Sequence, residues 1–256
     1  MIAVVTGASS GIGEAVARRL AAEPDARLVL VARRQDRLRA LADSLPAPTT
    51  YEACDVTDDD APARVRDHVQ AEHGRLDLLV NNAGAGFRGT FAEKGYANVK
   101  RTMDLNFDAV VRMTEALLPL LRESAPSSIV MVSSTAGRIS RPGSGAYSAS
   151  KFALAGWTEA LGMEEARHGV HVGLVQPGFV ATEGFPHQRL LARPWTRWMV
   201  STDDKVAETI LDVWRNRRPE AYAPKPYGLV PVARVLLPGL YRRAAAGGAF
   251  RATPKR

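Results

Sequence analysis

Ile2-Ala-Val-Val5 runs directly into Thr6-Gly-Ala-Ser-Ser-Gly-Ile-Gly13 at the start of this chain of 256 residues. Four consecutive apolar residues predict a short buried strand, and the apolar residues from 12 to 20 recur at helical spacing. Gly7, Gly11 and Gly13 therefore lie in a strand-to-helix turn, where glycine allows a tight bend and a close approach of the backbone to a ligand. The spacing is GxxxGxG and not the GxGxxG dinucleotide pattern, so a phosphate-binding turn and a purely structural turn both fit.

The alternation of apolar strands and amphipathic helices continues along the chain. Strands are predicted at Ile2–Val5, Arg27–Ala32, Thr50–Cys54, Leu76–Val80, Ser128–Val132, Val170–Val175 and Glu220–Ala223. Helices are predicted from about Ile12 to Leu20, at Asp36–Leu45, from about Asp58 to His73, at Asn98–Leu121, from Tyr147 to about Arg167 and at Thr202–Trp214. This order is typical of an α/β fold, here a three-layer, doubly wound, Rossmann-like parallel sheet. We expect a single domain over residues 1–224, followed by a basic, proline-interrupted extension over residues 225–256.

Composition predicts an ordinary globular protein of the cytoplasm. Hydrophobic residues make up 46% and charged residues 24%, which is enough apolar material for a full core. The single cysteine, Cys54, excludes an internal disulfide and fits a reducing compartment. Met1 leads directly into a strand without a secretory signal, and no apolar run approaches the ~18–20 residues that span a bilayer. The histidines show no metal-ligand spacing, so we predict no metal site.

The positive charge is concentrated in the C-terminal extension. The formal net charge is +7, and residues 225–256 contain seven basic residues and no acidic one, so residues 1–224 are formally neutral. Such a segment could be solvated or could meet acidic lipids, nucleic acid or a protein partner, but the body of the chain gives no reason to expect nucleic-acid binding. Apolar residues lie among the basic ones, between Pro231 and Pro238 and around them. A peripheral membrane contact, a cover for a pocket and a subunit contact are all consistent with this pattern.

Tyr147 and Lys151 form the pair with the clearest chemistry. They lie four residues apart in Tyr147-Ser-Ala-Ser-Lys151, which places both side chains on one face of a helix. A nearby ammonium favours the phenolate, so we predict that the pKa of Tyr147 falls from ~10 toward neutral pH. The pair would then be a general acid/base.

The end of the second strand bears on the choice of nucleotide. NAD-binding folds commonly place an acidic residue there to bind the ribose 2′-hydroxyl, whereas this chain has Arg33 and Arg34. A guanidinium suits a 2′-phosphate, which favours NADP, with Arg33 the better candidate by position. The alternative is that Arg34 and Arg37 are surface charges of the next helix.

Together these motifs resemble the short-chain dehydrogenase/reductase family. The resemblance is carried, in order, by Thr6-Gly-Ala-Ser-Ser-Gly-Ile-Gly13, Asp55-Val56, Asn81-Asn-Ala-Gly84, Asn106, Ser134, Tyr147-x-x-x-Lys151 and Pro177-Gly178, and it covers residues 1 to about 224. It implies that Tyr147 exchanges the proton, that Lys151 lowers its pKa and binds the nicotinamide ribose, and that Ser134 orients the substrate oxygen. Ser133 competes with Ser134, but the spacing to Tyr147 favours Ser134. Asn106 would hold a water that links Lys151 to solvent.

The resemblance also implies a set of cofactor-binding residues. They are Gly7, Ser9, Ser10, Gly11, Ile12, Gly13, Arg33, Arg34, Asp55, Val56, Asn82, Ala83, Gly84, Tyr147, Lys151, Pro177, Gly178, Val180 and Thr182. Among them, Asp55 would contact the adenine amino group, and Thr182 would anchor the carboxamide or pyrophosphate. The implied function is an NADP(H)-dependent oxidoreductase that transfers hydride between the nicotinamide and the carbonyl or alcohol of a small substrate, with reduction as the expected direction.

Substrate and assembly follow less directly. In the family the segment Glu183–Val200 covers the substrate, and its aromatic and aliphatic residues favour a lipophilic ketone or alcohol, although packing or a subunit contact would use the same residues. A homodimer or homotetramer built on the Asn98–Leu121 and Tyr147–Arg167 helices is expected. The non-catalytic alternatives are an NADP-binding regulatory or scaffold protein and a binder of acidic partners through the basic extension.

Overall fold

The computed structural model describes residues 1–181 and 200–246, and its centre is a seven-stranded parallel sheet. The strands are β1 Ile2–Thr6, β2 Arg27–Ala32, β3 Thr49–Ala53, β4 Leu78–Asn81, β5 Ser127–Val132, β6 Val170–Pro177, β7 Phe179–Val180, β8 Val200–Ser201 and β9 Glu220–Ala223. The order in the sheet is β3-β2-β1-β4-β5-β6-β9, and β7 pairs with β8 separately. The predicted doubly wound α/β fold is confirmed.

Helices connect these strands and extend beyond them. They are α1 Gly11–Leu20, α2 Gln35–Ser44, α3 Ala61–His73, α4 Phe91–Met103, α5 Ala109–Glu123, α6 Gly145–Glu165, α7 Asp203–Arg215, α8 Leu229–Leu236 and α9 Pro238–Ala246. Short 3₁₀ turns occupy Thr135–Gly137, Ala166–His168 and Lys225–Gly228, and a π turn occupies Asp104–Asp108. Among the residues described, no helix is both long and apolar enough to cross a membrane.

The sheet separates two hydrophobic cores, because successive strand residues point to opposite faces. In β1, Ile2 and Val4 pack into the core beneath α3, α5 and α6, whereas Ala3 and Val5 pack into the core beneath α1, α2 and α7. Strands covered on both faces are apolar along their whole length, which explains the continuous run at Ile2–Val5. The three layers predicted from the alternating pattern are therefore present.

Local sequence signals account for several helix ends. Gly74 ends α3 in the left-handed region, at φ 66°, and its N–H bonds the carbonyls of Val69 and Gln70. Thr90 and Glu93 form a capping box at the start of α4. The helix predicted from about Asp58 begins at Ala61, with Pro62 in its first turn.

The run predicted as one helix at Asn98–Leu121 differs from the structure. Helix α4 begins earlier, at Phe91, and the π turn at Asp104–Asp108 separates it from α5, which ends at Glu123. Such one-turn bulges are rare and often lie at functional sites. This bulge contains Asn106.

The order of the strands reverses between β1 and β4, and the turns that follow these two strands are joined directly. The Thr6 hydroxyl accepts hydrogen bonds from the N–H groups of Asn82 and Ala83, each at 3.0 Å. In open α/β sheets the crevice at such a point, outside the carboxyl ends of the strands, is where ligands bind.

Candidate active site

The glycine turn after β1 is packed too tightly for any other residue. Gly7 has φ +68°, and a Cβ there would lie 2.9 Å from the Cα of Ala83. A Cβ on Gly13 would lie 2.3 Å from the carbonyl oxygen of Gly7. The side chain of Ser10, at the N-cap of α1, makes no capping hydrogen bond. Main-chain N–H groups at the start of α1 are thus placed to meet an anion, which fits a nucleotide pyrophosphate.

A cleft of about 720 Å³ opens above this turn. Of the residues predicted to bind the cofactor, its lining includes Gly7, Ser9, Ser10, Arg33, Arg34, Asp55, Val56, Ala83 and Gly84. Gly11, Ile12 and Gly13 form the first turn of α1 beside it. The Nδ2 atom of Asn82 donates to the carbonyl oxygens of Thr6 at 3.0 Å and of Gly7 at 3.4 Å, so this side chain holds the turn in place.

The two arginines at the end of β2 have different surroundings. The guanidinium of Arg34 donates to the hydroxyls of Ser9, at 3.0 Å, and Ser10, at 2.7 Å. Arg34 therefore lies against the glycine turn and is not simply a surface charge of α2. The Arg33 side chain is 76% exposed and lies 3.5 Å from the Asp55 carboxylate. Both guanidinium groups border the cleft.

Asp55 is held by its own neighbours. Its Oδ1 accepts hydrogen bonds from the Thr57 main chain at 3.0 Å and from the Thr57 hydroxyl at 2.8 Å. Burial alone would raise the pKa of Asp55, but the bonds from Thr57 and the charge of Arg33 bring the pKa below its usual value. The residue is thus an ionised acceptor at the rim of the cleft, and Val56 beside it is buried.

Ser134 and Tyr147 meet at the carboxyl end of the sheet. Ser134 follows β5, and its hydroxyl hydrogen-bonds the phenol of Tyr147 and donates to the Pro177 carbonyl at 3.3 Å. The competing residue, Ser133, instead donates to the carbonyl of Lys151 at 3.2 Å and is buried beneath the site. The structure therefore brings Ser134, and not Ser133, to the phenol.

Lys151 lies beside Tyr147, and its ammonium binds a main-chain carbonyl. Its Nζ donates to the Val132 carbonyl at 3.0 Å and lies 5.9 Å from the centroid of the Tyr147 ring. The side chain is buried, and burial lowers the pKa of the ammonium from 10.5 to about 8. Gly84 lies close by, since a Cβ there would be 3.4 Å from Nζ.

The predicted fall in the pKa of Tyr147 is wrong for this structure. Burial raises the pKa of the phenol above its usual value, because an ionised phenol would be poorly solvated there. The hydrogen bond to Ser134 and the charges of Arg141 and Arg88 oppose this rise. The spacing of Tyr147 and Lys151 correctly predicted a shared helix face, but the lysine binds a main-chain carbonyl.

Arg88 and Arg141 were missed in the sequence. Arg88 lies in the loop after β4, and Arg141 lies six residues before Tyr147. The loops that carry them are joined by a hydrogen bond from the Gly89 N–H to the Gly143 carbonyl, at 3.1 Å. The Arg141 guanidinium lies 5.2 Å from the centroid of the Phe179 ring. Two cations from separate loops thus flank the candidate acid/base, and no sequence spacing relates them.

Asn106 ties the cofactor side of the site to the catalytic helix. Its Oδ1 accepts from the Ala85 N–H at 2.9 Å, and its Nδ2 donates to the Ala85 carbonyl at 3.0 Å and to the Ser150 hydroxyl at 3.1 Å. Ser150 in turn donates to the Tyr147 carbonyl at 2.9 Å. The π turn thus places Asn106 between the loop after β4 and α6.

The remaining predicted residues lie at the end of β6 or after it. Pro177 ends β6, and a Cβ on Gly178 would lie 2.6 Å from the ring of Tyr227, so glycine is required there. Val180 is buried in β7. Thr182 and most of the predicted substrate cover, Glu183–Val200, lie outside the residues that the structure describes. Tyr227 is buried, so the start of the C-terminal extension packs onto the domain.

Cys54 lines the cleft but is buried. Burial raises the pKa of the Cys54 thiol to about 11, which makes it a poor nucleophile. Within residues 1–181 and 200–246, no group of three or more His, Cys, Asp or Glu side chains is arranged to hold a metal ion.

Comparisons with known proteins agree with this architecture. A family model described as short chain dehydrogenase matches residues 1–190. Dehydrogenase/reductase SDR family member 7B from Danio rerio is 36% identical over 190 residues, which cover 71% of this chain but only 61% of that protein. A short-chain dehydrogenase from Streptomyces avermitilis superposes with a TM-score of 0.78 at 30% identity, over 94% of this chain and 96% of that one. L-sorbose reductase from Gluconobacter frateurii, in complex with NADPH and L-sorbose, superposes with a TM-score of 0.77 at 26% identity, over 86% and 93%.

Proposed function

The chain belongs to the short-chain dehydrogenase/reductase family of NAD(P)-dependent oxidoreductases, and from that premise we propose that it uses NADP(H) to interconvert a carbonyl compound and an alcohol, with Tyr147 as the acid/base. The observation that carries the proposal is the hydrogen bond between Ser134 and the Tyr147 phenol, beside the buried Lys151. Lys151 in turn lies close to Gly84, which lines the cleft. When bound, the nicotinamide supplies the hydride.

Each polar residue then has a defined role in carbonyl reduction. Tyr147 carries the phenol proton that can be donated to the carbonyl oxygen, and burial raises its pKa above the usual value. Ser134 fixes that oxygen within reach of the phenol through its hydroxyl. The charges of Arg88 and Arg141 stabilise the phenolate left after the proton has moved. Lys151, with a pKa of about 8, can return a proton to the site, and Asn106 holds the adjacent backbone in place.

Preference for NADP(H) over NAD(H) is supported by the charges at the end of β2. No acidic residue stands at that position, whereas Arg33 and Arg34 both border the cleft. Arg34 already binds Ser9 and Ser10, so a guanidinium and two hydroxyls lie together where a 2′-phosphate would be recognised. Reduction is the proposed direction, in keeping with an NADPH-dependent enzyme.

The proposed substrate is a small, lipophilic carbonyl compound. Support comes from the sequence of residues 183–200, which is rich in Leu, Trp, Phe and Met. We also propose a homodimer or homotetramer in the cytoplasm. Exposed Met163 on α6, together with exposed Phe91 on α4, supports a subunit contact at these helices.

The test compares the wild-type protein with Tyr147→Phe. Oxidation of NADPH is followed with a panel of lipophilic ketones and aldehydes, and cofactor binding is followed by fluorescence titration. Tyr147→Phe is expected to reduce turnover roughly 10²–10⁴-fold and to leave NADPH affinity nearly unchanged, because only the proton donor is lost. Tyr96→Phe, which alters an exposed tyrosine, serves as the control. Full turnover by Tyr147→Phe would refute the mechanism, and NADPH binding without turnover of any carbonyl would favour the regulatory alternative.

A further inference from the structure

Helices α8 and α9 present an apolar surface to solvent. Nine large apolar side chains are exposed among the residues described, and six of them lie between 229 and 240, so the exposure is concentrated in this one segment. They are Leu229, Val232, Val235, Leu236, Leu237 and Leu240, each exposed by 51% or more. Contiguous apolar surface of this kind marks an interaction site more often than scattered exposed residues do.

Polar contacts on the opposite face hold the two helices in this orientation. Arg234 donates to the Arg138 carbonyl at 2.9 Å, and its guanidinium lies 5.1 Å from the Phe152 ring centroid. The Tyr241 hydroxyl exchanges hydrogen bonds with the main chain of Ser140. Arg234 and Tyr241 therefore attach the helices to the domain, and the six exposed apolar residues face away from it.

Basic residues accompany the apolar ones in this segment. Arg242 and Arg243 are exposed next to Leu240 in the sequence, and residues 225–256 contain seven basic residues and no acidic one. Basic residues beside exposed leucine and valine side chains are the composition of segments that rest on anionic lipid, where the apolar face enters the headgroup boundary and the cations meet lipid phosphates. A surface of acidic lipid would therefore complement both the charge and the apolar character of this segment.

We propose that the face of α8 and α9 formed by these six apolar residues, here called the apolar face, docks on a membrane surface that contains anionic phospholipid. A second copy of this chain is a poorer partner, because a two-fold contact through the same face would bring two acid-free basic segments together. With 8 and 9 residues, the helices are only about 12–14 Å long, so the contact is interfacial and does not span the bilayer.

The experiment is co-sedimentation of the full chain with phospholipid vesicles. One set is phosphatidylcholine alone, and the other contains about one third phosphatidylglycerol, so that charge is the only difference. Binding to the anionic vesicles is expected to be roughly tenfold tighter or more, and added salt should weaken it. A double variant, Leu236→Asp with Leu240→Asp, is expected to lose this binding, because it places two anions on the apolar face.

A second double variant, Ala22→Asp with Ala71→Asp, is the matched control, since it puts two charges on exposed apolar positions elsewhere on the surface. It should leave vesicle binding unchanged. Absence of binding to anionic vesicles, or equal binding by the double variant, would overturn the proposal. A lowered unfolding midpoint or a changed molecular mass of the double variant would also overturn it, because the apolar face would then be covered by this chain or a second copy. No carbonyl substrate is used, so either outcome leaves the proposed reaction untouched.

Discussion

Replacement of Lys151 by methionine should stabilise the cofactor-free protein at neutral pH while it abolishes activity. Burial lowers the pKa of Lys151 from 10.5 to about 8, and each pKa unit corresponds to about 1.4 kcal/mol, so the charged form costs the folded protein about 3 kcal/mol. Methionine occupies a similar volume without the charge. It also loses the 3.0 Å hydrogen bond to the Val132 carbonyl, which offsets about 1–2 kcal/mol. A net gain of about 1–2 kcal/mol at pH 7 is expected.

The pH dependence gives this prediction a second signature. Between the folded pKa of about 8 and the unfolded value of 10.5, the unfolded wild-type chain holds a proton that the folded protein has released. Wild-type stability therefore rises with pH across this window, by about 2.5 kcal/mol between pH 7 and pH 10 relative to the variant. Lys151→Met should consequently be more stable than wild type at pH 7 and about equal or less stable at pH 10.

Urea unfolding of cofactor-free protein at pH 7 and pH 10 measures both effects. Lys205→Met is the control, since Lys205 is exposed on α7 and should show neither the gain nor the pH dependence. A loss of stability in Lys151→Met at pH 7, or a difference from wild type that does not change between the two pH values, would refute the reasoning. Either result would mean that Lys151 is not a buried cation that destabilises the fold and is kept for its role in catalysis.

Three further predictions concern the cofactor, the phenol and the π turn. Arg34→Ala and Arg33→Ala should each weaken NADPH binding roughly 10–100-fold and NADH binding much less, because a charged hydrogen bond to the 2′-phosphate is lost. Fluorescence titration with both cofactors measures this difference. Equal losses for NADPH and NADH would contradict the prediction. Arg141→Gln removes a charge that lowers the pKa of Tyr147, so the alkaline rise of alcohol oxidation should move to higher pH, and an unchanged pH–rate profile would count against it. Asn106→Leu leaves the hydrogen-bond partners of Asn106 unpaired and should lower the free energy of unfolding by about 3 kcal/mol. Urea unfolding measures this loss, and an unchanged midpoint would contradict it.

The fold could be read from the sequence because its signals are local. A strand buried on both faces needs a continuous apolar run, and Gly74 marks the end of a helix through its own backbone conformation. The π turn at Asp104–Asp108 gave no such signal, since one extra residue in a turn hardly alters the apolar pattern of the flanking helices. The contacts of Asn106 with Ala85 and Ser150 lie in other segments of the chain.

In the candidate site, too, local features could be predicted from the sequence and contacts between distant segments could not. Helical spacing was enough to place Tyr147 and Lys151 on one face of α6, because that geometry is fixed by four residues. The pKa of the phenol depends on burial and on Arg88 and Arg141, which come from two separate loops, so spacing alone gave the wrong direction. Similarly, the sequence placed Arg34 near the cleft, but its contact with Ser10 depends on how β2 and the glycine turn are juxtaposed.

The fixed position of Arg34 affects the rate of ligand binding and the entropy that is lost on binding. A free arginine side chain loses about 2 kcal/mol of rotamer entropy when it is immobilised. The bonds to Ser9 and Ser10 already impose that loss when the protein folds. An anionic ligand arriving at the glycine turn would meet a guanidinium that is already in place, so little ordering would accompany the encounter. Substitution of Ser9 or Ser10 should therefore slow or weaken binding of the anionic ligand, because the Arg34 side chain would become more mobile.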